Sequence, residues 1–418
     1  MAFNSVVAAM ANPTELEALY HEDSALFAHN LKIALELHPQ SQILKYWQVR
    51  LDYQDHKRQA KAERNDQQLG LLLLLALTAF LLLRIPLFFG LDPEWLLPRF
   101  LPWIVFAALI AYNGVVHAVP RVTLITVTGS MMLLAIVVGL FPDMDSSDTV
   151  TMALLHMPVL LWCLLGVMVT AGNWRDSYAN IDFLQYCGEL FILTVLILLG
   201  GAVLSGVTMG LFSLLGLQIE EWYMTNVGLA GGVSAPLVAG FIYDSVLRRR
   251  SHFANLIARL FAPLFLVMVV VYLITMALAR LSPYSDRNFL ILFNALLLLV
   301  LGMTIYCIGG RREGKESPLM DVVNFSLLTV TLAVNLVALS AIVFRLSSFG
   351  FTPNRIVVTG ANLLIFAHLA QLLWAYLRLL RKSASGIELQ KAVTGFLPVY
   401  GLWAAVVILL IPLLYSFQ

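Results

Sequence analysis

Charge is the scarcest thing in this chain: only 12% of its 418 residues are Asp, Glu, Lys or Arg. Soluble domains carry about a quarter, so an ordinary globular enzyme is excluded. The net charge is +1, and without a basic surface there is no footprint for a nucleic-acid partner. Cysteine is nearly absent. Cys163, Cys187 and Cys307 lie far apart in apolar runs, form no metal-ligand spacing and read as packing residues. The chain contains no Walker loop, H-E-x-x-H, G-x-S-x-G or dinucleotide fingerprint, so the sequence implies no metal, cofactor or catalytic residue. The stretch from Phe3 to Ala11 is too short, and too poor in basic residues, for a cleavable signal peptide. The first spanning helix is then the expected insertion signal.

Hydrophobic residues make up 60% of the chain and mean hydropathy is +0.84. A spanning helix needs about 20 apolar residues to cross about 30 Å of hydrocarbon. Such runs occur near 69–90, 100–119, 121–141, 152–172, 183–215, 224–246, 254–279, 288–308, 321–345, 355–380 and 394–416. The expected fold is therefore all-α: a polytopic integral membrane protein with about eleven transmembrane helices. Residues 1–68 form a separate cytoplasmic helical hairpin region, and residues 69–418 the bundle. The 183–215 run is about 50 Å long at 1.5 Å per residue, which predicts tilt or an interfacial turn at Asp182, Gln185 and Glu189. Glycine in 224–246 leaves open whether that span crosses fully.

Basic residues orient the bundle. Lys57, Arg58, Lys61 and Arg64 precede the first span, and Arg121, Arg175, Arg248–Arg250, Arg311, Arg312, Lys315, Arg381, Lys382 and Lys391 fill alternate connections. The opposite connections carry Asp143, Asp145, Asp148, Glu220 and Glu221. With the N-terminus cytoplasmic, 20 of the 26 basic residues fall inside and six outside, as the positive-inside rule requires. The C-terminus is then expected outside.

In the N-terminal region, Asn12-Pro13-Thr14-Glu15 predicts a helix start, with Leu16, Leu19, Phe27, Leu31 and Leu35 on one face. His38-Pro39 breaks it, and Ser41 caps a second helix carrying Leu44, Trp47 and Leu51. Residues 14–55 can serve as a docking site for a cytosolic protein, or as a cap on the bundle's own loops.

One hairpin recurs. Arg280-Leu281-Ser282 returns as Arg345-Leu346-Ser347, and Arg287 and Asn294 return as Arg355 and Asn362. The repeat is direct: helix, outward loop, helix. Seven residues is nearly two turns, so each arginine shares a face with an asparagine about 10 Å deeper. Guanidinium forks match phosphate and carboxylate, so the two ladders can hold an anionic lipid or small anion; equally, the arginines can snorkel to headgroups while the asparagines tie helices together.

The segment Phe349-Gly350-Phe351-Thr352-Pro353-Asn354-Arg355, after Arg345-Leu346-Ser347, resembles the signature loop of a bacterial membrane family, domain-of-unknown-function family four-one-five-three. That loop reads R-[IL]-x-x-Y-G-[LF]-T-x-x-R, and Phe349 stands here for the tyrosine. The resemblance extends over most of the spanning region, including the 248–250 loop. It implies a bacterial inner membrane and supplies no reaction or substrate.

Polar residues inside spans are costly and invite functional readings. Glu189, Arg259 and Asp244, with His117, are expected at similar depth, as a proton or cation relay or as a charge-neutral clasp. Asn335, His368 and Gln371 lie near the midplane, the last two on one face, where the histidine can carry protons or stay neutral. Arg84 and His156 add positive character to the outer halves. Gly231, Gly232 and Pro236 predict an unwound or kinked sixth span, a frequent transporter site and also a frequent packing kink. Gly200, Gly201, Gly206 and Gly210 suggest close helix contact.

Three functions fit: a transporter or flippase of a small or lipid-linked anion; a non-catalytic sensor, scaffold or assembly factor; and an intramembrane transferase using Glu189 or Asp244 as base.

Overall fold

A computed structural model describes residues 5–117, 119–143, 147–247, 252–278, 287–311 and 317–417. Among them are helices and no strand. The helices are α1 (Ser5–Ala8), α2 (Pro13–Glu22), α3 (Ser24–Leu37), α4 (Gln42–Leu83), α5 (Ile85–Phe89), α6 (Pro93–Val116), α7 (Arg121–Gly139), α8 (Asp148–Val169) and α9 (Ser177–Leu214). There follow α10 (Glu220–Tyr223), α11 (Leu229–Phe241), α12 (Phe253–Leu278), α13 (Arg287–Gly309), α14 (Pro318–Phe349), α15 (Pro353–Leu380), α16 (Gly386–Thr394), α17 (Leu397–Leu409) and α18 (Ile411–Leu414). Eleven helical segments are long and apolar enough to span a bilayer, and the chain is a multi-pass membrane protein.

The chain divides into two compact units, Met1–Gly70 and Leu71–Gln418, with α4 contributing to both. In the first, Asn12 caps α2 by accepting from the Thr14 amide at 3.1 Å. The expected single helix over 14–37 is two. Asp23 turns extended and accepts from the Ala25 and Leu26 amides, so a new helix starts there. Leu16, Phe27, Leu31, Leu44 and Trp47 are buried together.

In the second unit, two of the buried apolar clusters share α9. Phe183, Tyr186, Leu190 and Leu193 face one core with α6, α7, α8 and α11. Ile181 and Leu184 face the other with α13, α14, α15 and α16. Short polar side chains start the spans: Asp92, Ser147, Asp176 and Thr352 each accept an amide proton of the following turn. Left-handed Gly90 and Gly350 stop α5 and α14 (φ +65° and +76°).

Several boundaries differ from expectation. The first span ends at Leu83 instead of residue 90, because the chain turns at Arg84 and restarts at Ile85-Pro86. Helix α9 is continuous from Ser177, with no turn at Asp182 to Glu189; its length is accommodated by an exposed second half from Leu196 onward. Among the described residues nothing sits on Gly200, Gly201, Gly206 or Gly210, since a Cβ added there would meet no atom within 4 Å. Close helix approaches occur instead at Gly188, against Tyr306 and Ala254, and at Gly360, against Trp403.

The sixth span is helical through Gly231, Gly232 and Pro236, which excludes the unwound form of the expected unwound-or-kinked span. Its irregularities are π-helical turns on either side, Met224–Gly228 and Ile242–Val246. Gly231 and Gly232 are exposed, where unwound backbone would face hydrocarbon with no partner for its N–H and C=O groups. Val233, Ala235, Leu237 and Ala239 on the buried face hold the helix in place.

Candidate functional site

The predicted polar residues do not gather as one cluster. Glu189 is 2% exposed, and its Oε1 accepts the Ala254 backbone proton at 2.9 Å. Arg259 instead donates to the Gly310 carbonyl at 2.5 Å. Asp244 lies 3.9 Å from the His117 ring. Three short contacts thus replace the expected Glu189–Arg259–Asp244 cluster.

In the repeated hairpin, Arg280 lies outside the described residues, as do the side chains of Arg287 and Arg345 and the 248–250 loop. Arg345 falls within α14, since the helix runs on to Phe349. Arg355 folds back and donates to the Gly350 carbonyl at 2.8 Å, tying its own turn. Asn362 is buried and donates to the Val358 carbonyl one turn earlier at 2.8 Å.

The midplane pair also separates. His368 is buried, with its ring stacked on Phe396 at 4.4 Å and its Nδ1 2.8 Å from the Tyr400 hydroxyl. Gln371, 60° around the helix, is exposed.

A built polar site appears where α13 ends and α12 and α14 begin. A chamber of about 420 Å³ is lined there by Gln185, His252, Asn255, Arg259 and Arg311. Each element brings a side chain for a local reason. Asn255 and Arg259 are one turn apart on the first turns of α12. Gln185 projects from α9 and donates to the Gly309 carbonyl at 2.6 Å, holding the end of α13 open-mouthed. Gly310 lets the chain pass Asn255, whose side chain a methyl there would crowd to 2.9 Å. Arg311 pairs with Asp321, which offsets its charge, while Arg259 donates to the Gly310 carbonyl and has no ion-pair partner among the described residues. Arg259 and Arg311 thus bring two guanidinium groups to the described lining of the chamber.

Behind it Arg259 and Arg311 also line a smaller cleft with Asp321, Asn324, Cys307 and Tyr376. From that cleft a polar stripe runs into the bundle along one face of α14: Asp321, Asn324, Thr331 and Asn335. Their spacings of three, seven and four keep them within about 80° of arc and carry them about 21 Å along the axis. All four are buried. Asn324 Oδ1, Thr331 Oγ1 and both amide atoms of Asn335 are buried without a hydrogen-bond partner among the described residues. Thr304 Oγ1 and Asn294 Oδ1 of α13 and Asn362 Oδ1 of α15 are likewise buried without a hydrogen-bond partner among the described residues. Helices α13, α14 and α15 pack against one another. Unsatisfied amides are rare in ordinary cores, because each costs about 1–3 kcal/mol.

The sequence reading placed Asn294 and Asn362 in the arginine ladders, Arg259 with Glu189 and Asp244, and Asn335 with His368 and Gln371; it did not join them to one another, and it did not single out Arg311, Gln185, Asn255 or the rest of the stripe as site residues. The regular spacing of Asp321, Asn324, Thr331 and Asn335 was the signal that could have found it. Comparison with known protein families, characterised proteins and solved structures yields no match.

Proposed function

We propose that this protein is a transporter of a small anion in a bacterial inner membrane, with its N-terminus cytoplasmic and its C-terminus periplasmic. The observation that carries the reading is the α14 stripe, which leads from a two-arginine chamber into a three-helix core. A solute crossing hydrocarbon needs hydrogen-bonding groups along its path, and the orphaned amides and hydroxyls offer them. Arg259 and Arg311 select for negative charge at the mouth. The mouth then opens to the cytoplasm, because α12 and α14 start from the connections richest in arginine and lysine. The anion thus binds at the opposite end from the Arg287 and Arg355 turns. Membership of the bacterial family that the Arg345–Arg355 segment resembles is part of the same proposal.

The test is flux into proteoliposomes, with inorganic phosphate and succinate as probe anions. Arg259→Gln is expected to raise the half-saturating concentration roughly tenfold. Asn335→Leu closes the stripe with hydrocarbon of similar volume; it is expected to abolish flux, keep anion binding and raise Tm. Wild-type protein that moves neither anion, or flux unchanged in both variants, rejects the reading.

A second reading, a scaffold or sensor binding a cytosolic protein through residues 14–55, is favoured by Tyr46, Val49 and Tyr53. These three share a face of α4 and are 72%, 66% and 68% exposed. The transferase alternative has no convergent set behind it among the described residues: Glu189 Oε1 accepts the Ala254 amide while its Oε2 is buried without a hydrogen-bond partner there, and Asp244 lies 3.9 Å from the His117 ring.

A further inference from the structure

The arginine chamber stands where α12 starts and α13 ends, which places it at the depth of lipid headgroups. The circumference of α12 there divides into three sectors, at about 100° per residue. Ala254, Ala258, Ala262 and Val269 are buried and mark the side turned to the bundle. Leu256, Leu260, Leu264 and Val267 lie on the opposite side and are 65%, 61%, 58% and 62% exposed. In a bilayer that stripe faces hydrocarbon. Asn255 and Arg259 fall between the two, Arg259 about 60° from Leu256. Leu256 belongs to both surfaces, since it lines the chamber and heads the stripe. The chamber is thus bordered by the lipid-facing side of α12.

The chemistry of the lining narrows the occupant. Arg259 is exposed, and its bond to the Gly310 carbonyl leaves most of its N–H donors to a ligand among the described residues. With no ion-pair partner there, its guanidinium matches the single negative charge of a phosphodiester. The described lining holds no Asp or Glu, so a headgroup ammonium would find no carboxylate. Gln185 and Asn255 bring amides instead, which suit hydroxyl groups. A volume of about 420 Å³ is in the range of small-molecule sites and more than a bare phosphate fills.

We propose that the chamber takes the headgroup of an anionic glycerophospholipid of the phosphatidylglycerol class. Its phosphate sits on Arg259, and its acyl chains lie along Leu256, Leu260 and Leu264. This rests on the chamber as an anion site, and not on transport. A lipid phosphate and a soluble anion use the same guanidinium, so the lipid competes with the transported anion at the mouth.

The test is native mass spectrometry of the full-length protein in detergent, titrated with an equimolar mixture of dioleoyl phosphatidylglycerol and dioleoyl phosphatidylcholine. Wild type is expected to retain phosphatidylglycerol in preference. Arg259→Gln is expected to reduce that preference roughly tenfold. Arg121→Gln, at the exposed start of another span, is expected to leave it unchanged. Should Arg259→Gln fail to fold, Leu256→Asp on the exposed rim replaces it, since a carboxylate there repels the phosphate and should cause the same loss. Glycerophosphoglycerol, the headgroup without its chains, is expected to bind roughly tenfold more weakly than the lipid. An equal loss in Arg121→Gln would mean general attraction to basic residues and overturns the proposal. The bare headgroup binding as tightly as the lipid, or no preference in wild type, does the same. Phosphate flux through the same variants keeps the two readings apart. Lipid preference in a protein that moves no anion supports the lipid site and rejects transport; flux slowed by Arg259→Gln without lipid preference does the reverse.

Discussion

Glu189 and Ala254 are 65 positions apart, yet the Glu189 carboxylate accepts the Ala254 amide proton at 2.9 Å and so caps the start of α12 from α9. A buried acid that the sequence offers as a proton relay or a charge-neutral clasp here accepts a backbone proton at a helix N-terminus, where amides lack carbonyl partners. Gly188 lets the two helices approach this closely, since a methyl there would collide with Tyr306 and Ala254. Glu189→Ala is expected to cost about 1–2 kcal/mol, and Glu189→Gln, which keeps an acceptor oxygen, well under half of that. Thermal denaturation of the purified variants checks this. Equal losses in both would mean that the charge, and not the accepted bond, is what the site needs.

Arg311 and Asp321 form an ion pair with both side chains largely out of solvent, 9% and 11% exposed. Removing one partner strands the other charge, so Asp321→Ala is expected to destabilise by about 3–5 kcal/mol. The double replacement Arg311→Met with Asp321→Leu is expected to recover most of that, because well-packed apolar residues often match a buried pair. If the pair also forms the chamber mouth, the double variant folds and loses anion uptake. A double-mutant cycle on Tm, run beside the flux assay, separates the two effects.

In the N-terminal unit, Arg50 grips Glu17 with its two terminal guanidinium nitrogens, at 2.5 and 2.8 Å, and stacks over Trp47 at 4.5 Å. The Arg50 hydrogen bond, aided by its charge and that of His21 and opposed by desolvation, holds the Glu17 carboxyl below its ordinary value of 4.5. A depressed acid stabilises the fold above its unfolded pKa and loses that contribution as pH falls through the folded one. The N-terminal helices should therefore loosen below about pH 4.5. Hydrogen exchange of peptides from residues 13–54, corrected for intrinsic rates, should show Glu17→Gln less protected than wild type at pH 7. At pH 3 the difference should be smaller. Exchange that differs by the same margin at both pH values would remove Glu17 as the cause.

Much of the fold was legible because a bilayer imposes one length on every crossing element. A run such as 254–279 or 355–380 has little choice but helix, since no water is present to satisfy its backbone. Helix starts were legible for the same local reason at Asn12, where a short side chain replaces the missing carbonyl. Local reasoning failed where a motif has two readings. The glycines of α9 have the spacing of a contact seam whether a helix or lipid lies opposite, and Gly231-Gly232 breaks a helix only if the freed backbone has somewhere to turn.

By itself, the sequence determined that this chain crosses a membrane many times as helices, because composition and run length alone decide partition into hydrocarbon. Only the tertiary structure decided which polar groups meet. Arg311 finds Asp321, Trp403 finds Gly360, and Asn335 finds no hydrogen-bond partner among the described residues, because which helices pack together depends on surfaces contributed from distant parts of the chain.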